Sequence, residues 1–478
     1  MSASSEDSKH EDFFRCSGGR WLRLNVPELK RIAAGSIGRG DAKACVSMTK
    51  LAEGLFNKVF RLVMDDGSVV IARIPNPNDN NNNNNNNAGA LFKRNASEVA
   101  TMDFARTVLD IPEAAGRQLG EVWEDMDLDS KVKIVEDVVA IERKFLSLSF
   151  TRYGSLYFAV DAFPSCEKVQ IVGDIPQSHR EEVESRFVIG PERASLEIDR
   201  GPWKSPRDYL KAISQRELAW IGRYAAPKAP QHDLFAVTEA QNSSEAHIAL
   251  DKKFLDVVDY LLPSNPELIR STTWHWDIHA PNLFVDGDRD VWNGPLFLQA
   301  RHPRLVDYNG EVMLKIPEHC KDIDDEGEKA RIRKQVEKSI VLWAYEFDAK
   351  RANPVLHEIS HFPHGRTRRD AVEFSANTWD GDIIPFRECL IRIVRHWNEI
   401  DSEVSCPITF TDEELRAHYR DAEGWNERAD FWDSLEGFVH RDGWTSNENY
   451  EKALELFAQL RADFERQTRW AVRKKDSG

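Results

Sequence analysis

The position of the strand-forming sequence limits this chain's fold more than any other feature. Lys58-Val59-Phe60-Arg61-Leu62-Val63-Met64 alternates in part, Asp65-Asp66-Gly67 is a strong hairpin turn, and Ser68-Val69-Val70-Ile71-Ala72-Arg73-Ile74 is β-branched enough to return as its partner. Pro75 and Pro77 end it. A short amphipathic helix, Val26 to Ala34, precedes the hairpin, with Gly35 to Asp41 as punctuation. After the hairpin the apolar spacing turns helical. Helices are expected over Ser97 to Val108, with Ser97 as cap, over Val122 to Phe150, over Pro206 to Tyr224 and over Asp251 to Leu262. From about Glu326 the chain is mostly helical, ending in the polar segment Asn449 to Arg473. Ala162 to Gln177 and Phe187 to Trp203 carry prolines and little periodicity, and read as irregular. A small β-rich unit followed by a large helical one predicts an α+β fold in two lobes, not a doubly wound sheet.

Composition excludes some partners. A formal net charge of -16 argues against a nucleic-acid or anionic-membrane surface. No apolar run reaches the length of a bilayer span. Cys16, Cys45, Cys166, Cys320, Cys389 and Cys406 are widely spaced, suggesting neither a disulfide framework nor a thiolate zinc site. Met1 to Asp12 is acidic and Ser-rich, unlike a secretory or matrix-targeting peptide. Asn80 to Asn87 is a low-complexity tract, so 76–95 is expected to be a disordered surface insertion.

The chemistry-bearing segment is His275-Trp276-Asp277-Ile278-His279-Ala280-Pro281-Asn282, followed by the apolar Leu283-Phe284-Val285-Asp286. Phosphoryl transfer asks a protein mainly to position reactants and neutralise charge. An Asp can orient the acceptor hydroxyl, and an Asn five residues on can hold magnesium on the phosphates. Asp277 is thus the candidate catalytic residue and Asn282 the candidate metal ligand. At the hairpin entry, Gly54 followed by Asn57 lets backbone approach phosphate oxygens. Arg73 on the return strand supplies a cation that Glu98, opening the next helix, could hold. These four are the candidate nucleotide-binding residues.

Taken together, Glu53-Gly54-x-x-Asn57-Lys58-Val59-Phe60, Val70-Ile71-Ala72-Arg73-Ile74-Pro75, Ser97-Glu98-Val99-Ala100-Thr101, Gln118-Leu119-Gly120-Glu121-Val122-Trp123 and His275-x-Asp277-x-His279-x-x-Asn282 resemble the fungal branch of the aminoglycoside phosphotransferase (phosphotransferase enzyme) family. The altered-inheritance-of-mitochondria group is the nearest part of it. Arg152-Tyr153-Gly154-Ser155-Leu156-Tyr157, Ile198-Asp199-Arg200-Gly201-Pro202-Trp203 and Asn377-Thr378-Trp379-Asp380-Gly381 extend the likeness. The resemblance implies a protein-kinase-like two-lobed fold, use of ATP and magnesium, and phosphorylation of a small hydroxyl-bearing molecule. It also implies a mitochondrial location, with the cytoplasm as the alternative since no targeting peptide is visible. The expected layout is an N-terminal extension, 1–50, a small nucleotide-binding lobe, 51–118, a large helical catalytic lobe, 119–400, and a C-terminal helical extension, 401–478.

The pattern is broken in three places. Arg73 stands where a Lys is usual, which keeps the charge but forks the donors. Ile111-Pro112 is only six residues from Leu119-Gly120, too few for the two further strands and adenine hinge that a kinase-like small lobe needs, so a reduced sheet is expected. After Asp286 there is no apolar-apolar-Asp-aromatic step for a second metal Asp until Leu305-Val306-Asp307-Tyr308, and Asp307 is read mainly as structural. These gaps make a catalytically silent, pseudokinase-like scaffold the alternative, or else coding segments are missing. His357-Glu358-Ile359-Ser360-His361 matches the H-E-x-x-H pattern of zinc proteases, but Pro354 and Pro363 leave too little room for the long helix that motif uses. It reads as a chance match. Trp203 is expected to pack in the core, and His275 and His279 to brace the loop. An acidic rim would suit a cationic acceptor.

Overall fold

The computed structural model of the 478-residue chain describes residues 13–15, 21–23, 25–37, 44–53, 57–75, 88–111, 119–191, 198–227, 238–275, 291–306, 308, 310–379, 381, 383–434 and 449–459. It falls into two units, Met1–Phe92 and Lys93–Gly478.

In the first unit β1 (Phe13–Arg15) pairs with β2 (Trp21–Arg23), α1 spans Val26–Ile37, and β3 (Cys45–Glu53), β4 (Asn57–Met64) and β5 (Val69–Pro75) form an antiparallel sheet in that order. The hairpin read from the sequence is β4–β5, in register from Val63↔Val69 to Asn57↔Pro75. Gly67 closes its turn at φ +83°, a conformation that L side chains enter only at a cost. The strand β3 was not anticipated. Register shifts at Cys45/Ser47 and Lys50/Ala52 break the alternation by which a strand is recognised. Phe60, Leu62 and Met64 are buried against Ala33 of α1, with half-buried Val70, Ala72, Ile74 and Leu29 packed around them.

The helix α2 (Ala88–Thr107) crosses the division between units, and it corrects two expectations. Ala88–Asn95, assigned to the insertion, are helical, whereas 76–87 lie outside the described residues. Ser97 is therefore interior and not a cap; its carbonyl accepts a hydrogen bond from the Thr101 hydroxyl at 2.7 Å.

The second unit continues with α3 (Leu128–Phe145), β6 (Leu148–Phe150), β7 (Ser155–Phe158), β8 (Glu167–Lys168), β9 (Ile171–Gly173), α4 (Gln177–Arg186), β10 (Phe187–Gly190), α5 (Pro206–Tyr224), α6 (Ser244–Val257), α7 (Pro266–Ile269), β11 (Ser271–His275) and β12 (Val291–Pro295). It ends with α8 (Leu296–Gln299), α9 (Glu326–Ala352), α10 (Pro354–Ser360), α11 (Gly365–Ser375), α12 (Ile383–Arg395), α13 (Trp397–Ile400), α14 (Asp412–Ser434) and a helical stretch at 450–459. The helix expected from Val122 begins later, because Asp127 caps α3 by accepting from the Ser130 amide at 2.8 Å. It also ends earlier, and Leu148–Phe150 form β6. The two segments read as irregular hold β8, β9 and β10, strands of two to four residues, too short to show a period.

Two sheets result, one in the order β12-β11-β6-β9 and one in the order β7-β10-β8. Phe104, Phe150, Phe187, Trp274 and Phe297 fill the core beside them. A second core packs Leu210 and Ile213 of α5 against Phe254 of α6 and Phe386 and Leu390 of α12. A third joins Val135, Val138 and Val139 of α3 to Val341, Tyr345 and Ala349 of α9. The chain is of mixed helix-and-sheet class, compatible with the α+β expectation. Among the described residues no helix is long and apolar enough to cross a membrane.

Candidate functional site

Residues directly opposite in a ladder share a sheet face, which places Arg73. It pairs with Val59, one row from Arg61↔Ile71 and two from Val63↔Val69. All six lie on the face away from Phe60, Leu62 and Met64, which α1 covers. Val69 and Ile71 are 41% and 54% exposed, Arg61 is exposed and Arg73 half-buried. The outer face of the sheet thus combines accessible apolar surface with two cations, chemistry that suits a flat aromatic group carrying phosphates. Asn57 opens β4, while Gly54 lies outside the described residues. Glu98 lies well inside α2, so it does not open that helix as expected.

Asp277 and Asn282 lie outside the described residues, as do His279 and Asp307. Their flanks are described. The ladder β11–β12 runs from Ser271↔Pro295 to His275↔Val291, so 276–290 link the ends of two paired strands. β11 is an inner strand of its sheet, and Ser271, Thr272, Thr273 and Trp274 are all buried. Trp274 meets Phe145 of α3 with ring centroids 6.0 Å apart. A rigid strand therefore leads directly into His275, two residues before Asp277.

Three segments that carry the sequence resemblance are structural in the second unit. Tyr153 and Trp203 exchange backbone hydrogen bonds of 2.9 and 2.8 Å. Gly154 is required at this crossing, since a Cβ there would stand 2.6 Å from the Gly190 carbonyl oxygen. Trp203 is buried as expected; its Nε1 donates to Asp199 at 3.1 Å and its ring meets Tyr209 edge-on. Beside it is a cavity of about 420 Å³ whose lining includes Glu167, Asp199, Asp208 and Lys204, three carboxylates to one cation. In the third segment, Glu217 accepts from the Trp379 amide at 3.0 Å and the Thr378 hydroxyl at 3.3 Å. Gln241 donates to the Trp379 carbonyl at 2.9 Å and accepts from the Ile383 amide at 2.8 Å. This buried network ties α5 and the turn before α6 to the start of α12.

Most of the H-E-x-x-H segment lies in the seven-residue helix α10, with His361 as its C-cap, a short helix as its prolines require. His357 and His361 nevertheless come together, with ring centroids 4.2 Å apart, and both face Glu346 of α9. Only the spacing of the two histidines was visible in the sequence. The carboxylate comes from another helix.

No family model matches the chain. A subtelomeric hrmA-associated cluster protein of Aspergillus fumigatus is 28% identical over 502 aligned positions, covering 88% of this chain and 94% of that protein. Altered inheritance of mitochondria protein 9, mitochondrial, is 24% identical in Yarrowia lipolytica, covering 93% and 86% of the two chains. In Saccharomyces cerevisiae the protein of that name is 22% identical, covering 90% and 78%. Among solved structures a macrolide 2'-phosphotransferase type I aligns with 77% of this chain and 96% of its own, at a TM-score of 0.24 and 11% identity. Because 502 aligned positions draw on only 88% of 478 residues, roughly 80 of them fall opposite gaps in this chain.

Proposed function

We propose that this chain has the architecture of an ATP- and magnesium-dependent phosphotransferase of the aminoglycoside phosphotransferase type, acting on a small hydroxyl-bearing molecule. The observation that carries the reading is the outer face of β3–β5, where Arg73 and Arg61 lie beside exposed Ile71 and Val69. Arg73 would meet phosphate oxygens there. Asp277, entered from buried β11, would orient the acceptor hydroxyl and receive its proton as the bond to phosphorus forms. Asn282 and carboxylate oxygens are hard donors of the kind magnesium prefers, and the ion would neutralise charge on the phosphates when bound. The acidic lining at Asp199 and Asp208, beside a Glu167 that Arg152 engages at 2.8 Å, supports a cationic acceptor. The names of the relatives support a mitochondrial site of action.

Calorimetric titration of the purified chain with Mg-ATP tests this. Binding is expected, weakened about 10-fold or more in Arg73→Ala, as loss of a charged hydrogen bond predicts. Asp277→Ala is expected to keep nucleotide binding and lose transfer. A folded chain that gives no heat at millimolar ATP overturns the enzyme reading. A second reading, a scaffold that keeps the fold without chemistry, is favoured by the three strands of the β3–β5 sheet and by the seven residues, 112–118, left between Ile111 and Leu119.

A further inference from the structure

We propose that Glu346, His357 and His361 form a zinc site that joins α9 to α10, with His302 orienting the carboxylate. The Nε2 atoms of His357 and His361 each stand 3.7 Å from Glu346 Oε2. That is beyond hydrogen-bond reach but close to the edge of a zinc tetrahedron, about 3.3–3.5 Å for bonds of about 2.0–2.1 Å. The three donor atoms lie within 4.8 Å of one another, so small side-chain rotations close the site.

The surrounding contacts prepare these atoms as ligands. His361 Nδ1 lies 2.9 Å from the His357 carbonyl oxygen and donates to it, which leaves the lone pair on Nε2. Glu346 Oε1 is engaged by His302 Nε2 at 2.9 Å, which turns Oε2 toward the two imidazoles. The His302 ring is itself set edge-on against buried Tyr345, 5.5 Å away. Two imidazoles and one carboxylate select zinc or a neighbouring transition ion over magnesium or calcium, which prefer all-oxygen shells. A fourth position is open to water. The motif's own Glu358 is exposed and is not among the donor atoms that converge here. The site therefore lacks the general base of a protease and holds two helices together instead.

A second cluster, His364, His396 and Glu399, has a different character. Both Glu399 oxygens already engage imidazole nitrogens, at 2.9 and 3.1 Å. It serves as the internal control. Chelator-treated full-length protein is titrated with zinc by calorimetry and with cobalt(II) by visible absorption. One equivalent is expected to bind, with a tetrahedral cobalt spectrum and a zinc-dependent rise in Tm. His357→Gln/His361→Gln is expected to weaken binding more than about 100-fold, and His302→Gln about 10-fold. The near-isosteric Glu346→Gln must lose the Tm response while its circular dichroism stays that of wild type, which separates loss of metal from loss of fold. Absence of binding, equal binding by the double histidine variant, or loss in His364→Gln/His396→Gln alone overturns the proposal.

Discussion

At the scale of single residues, two buried acids couple the fold to pH. Glu142 of α3 is fully buried and its carboxyl is pushed up to about 8 by burial, against the opposing hydrogen bond from the Tyr345 hydroxyl at 3.1 Å. Asp251 of α6 is also pushed up to about 8, first by burial and further by nearby Glu217, although its bond from the Ser214 hydroxyl acts the other way. An acid whose folded pKa exceeds its unfolded value holds its proton longer in the native state, so ionisation favours unfolding. The Glu142 contribution is fully present below its ordinary 4.5 and is lost as pH rises through about 8. One pKa unit corresponds to about 1.4 kcal/mol, so the loss is of the order of a few kcal/mol. Glu142→Gln keeps a neutral partner for Tyr345 and removes the titration. The variant and wild type are expected to melt together at about pH 4 and to diverge by about pH 8.5, with the variant more stable. Parallel melting curves across that range would reject the assignment.

At the scale of elements, the hairpin shows how local sequence became structure and how far that legibility reached. Gly67 has φ +83° and open space around any added Cβ, so the cost of Gly67→Ala is purely that of the backbone, about 1–2 kcal/mol. Amide exchange in β4 and β5 is expected to quicken about 5-fold or more, and Gly67→Asn to do so less, because Asn tolerates this conformation better. Equal effects of Ala and Asn would show that strain at φ is not the cause. Turn chemistry and a period of two made this hairpin readable, and α5 was read from Pro206, where the Ser205 hydroxyl accepts from the Arg207 amide at 3.1 Å. Strand β3 escaped because its bulges shift the period, and β8 to β10 because two to four residues carry none. Ser97 misled because a cap and an interior Ser look alike unless the upstream turns of α2 are recognised. Of the candidate site residues, Arg73's place on β5 was legible with its strand. The partner of His357 and His361 was not, since Glu346 approaches from α9 and no sequence spacing encodes that meeting.

At the scale of the whole molecule, the gaps in the alignment become informative when set against the fold. In the pairing that covers 94% of the Aspergillus fumigatus protein, roughly 80 aligned positions lack a counterpart in this chain. Among the described residues the sheet β3–β5 has three strands, α2 follows, and only residues 112–118 separate Ile111 from Leu119. Two strands of ordinary length need about 10–12 residues before any hinge is counted, so they do not fit in that interval. Sheet edges present unpaired backbone groups, which folded proteins rarely leave uncovered. We therefore expect the mature transcript to carry additional in-frame coding sequence between the codons for Ile111 and Leu119. The longer chain is expected to bind Mg-ATP at least 10-fold more tightly than this one, because backbone groups of a hinge add directional hydrogen bonds to the adenine edge. Sequencing the full message decides the first point and parallel calorimetry the second. A message that reads directly from Ile111 through Leu119 would establish the reduced sheet as native, and the balance would then move from phosphotransferase to scaffold.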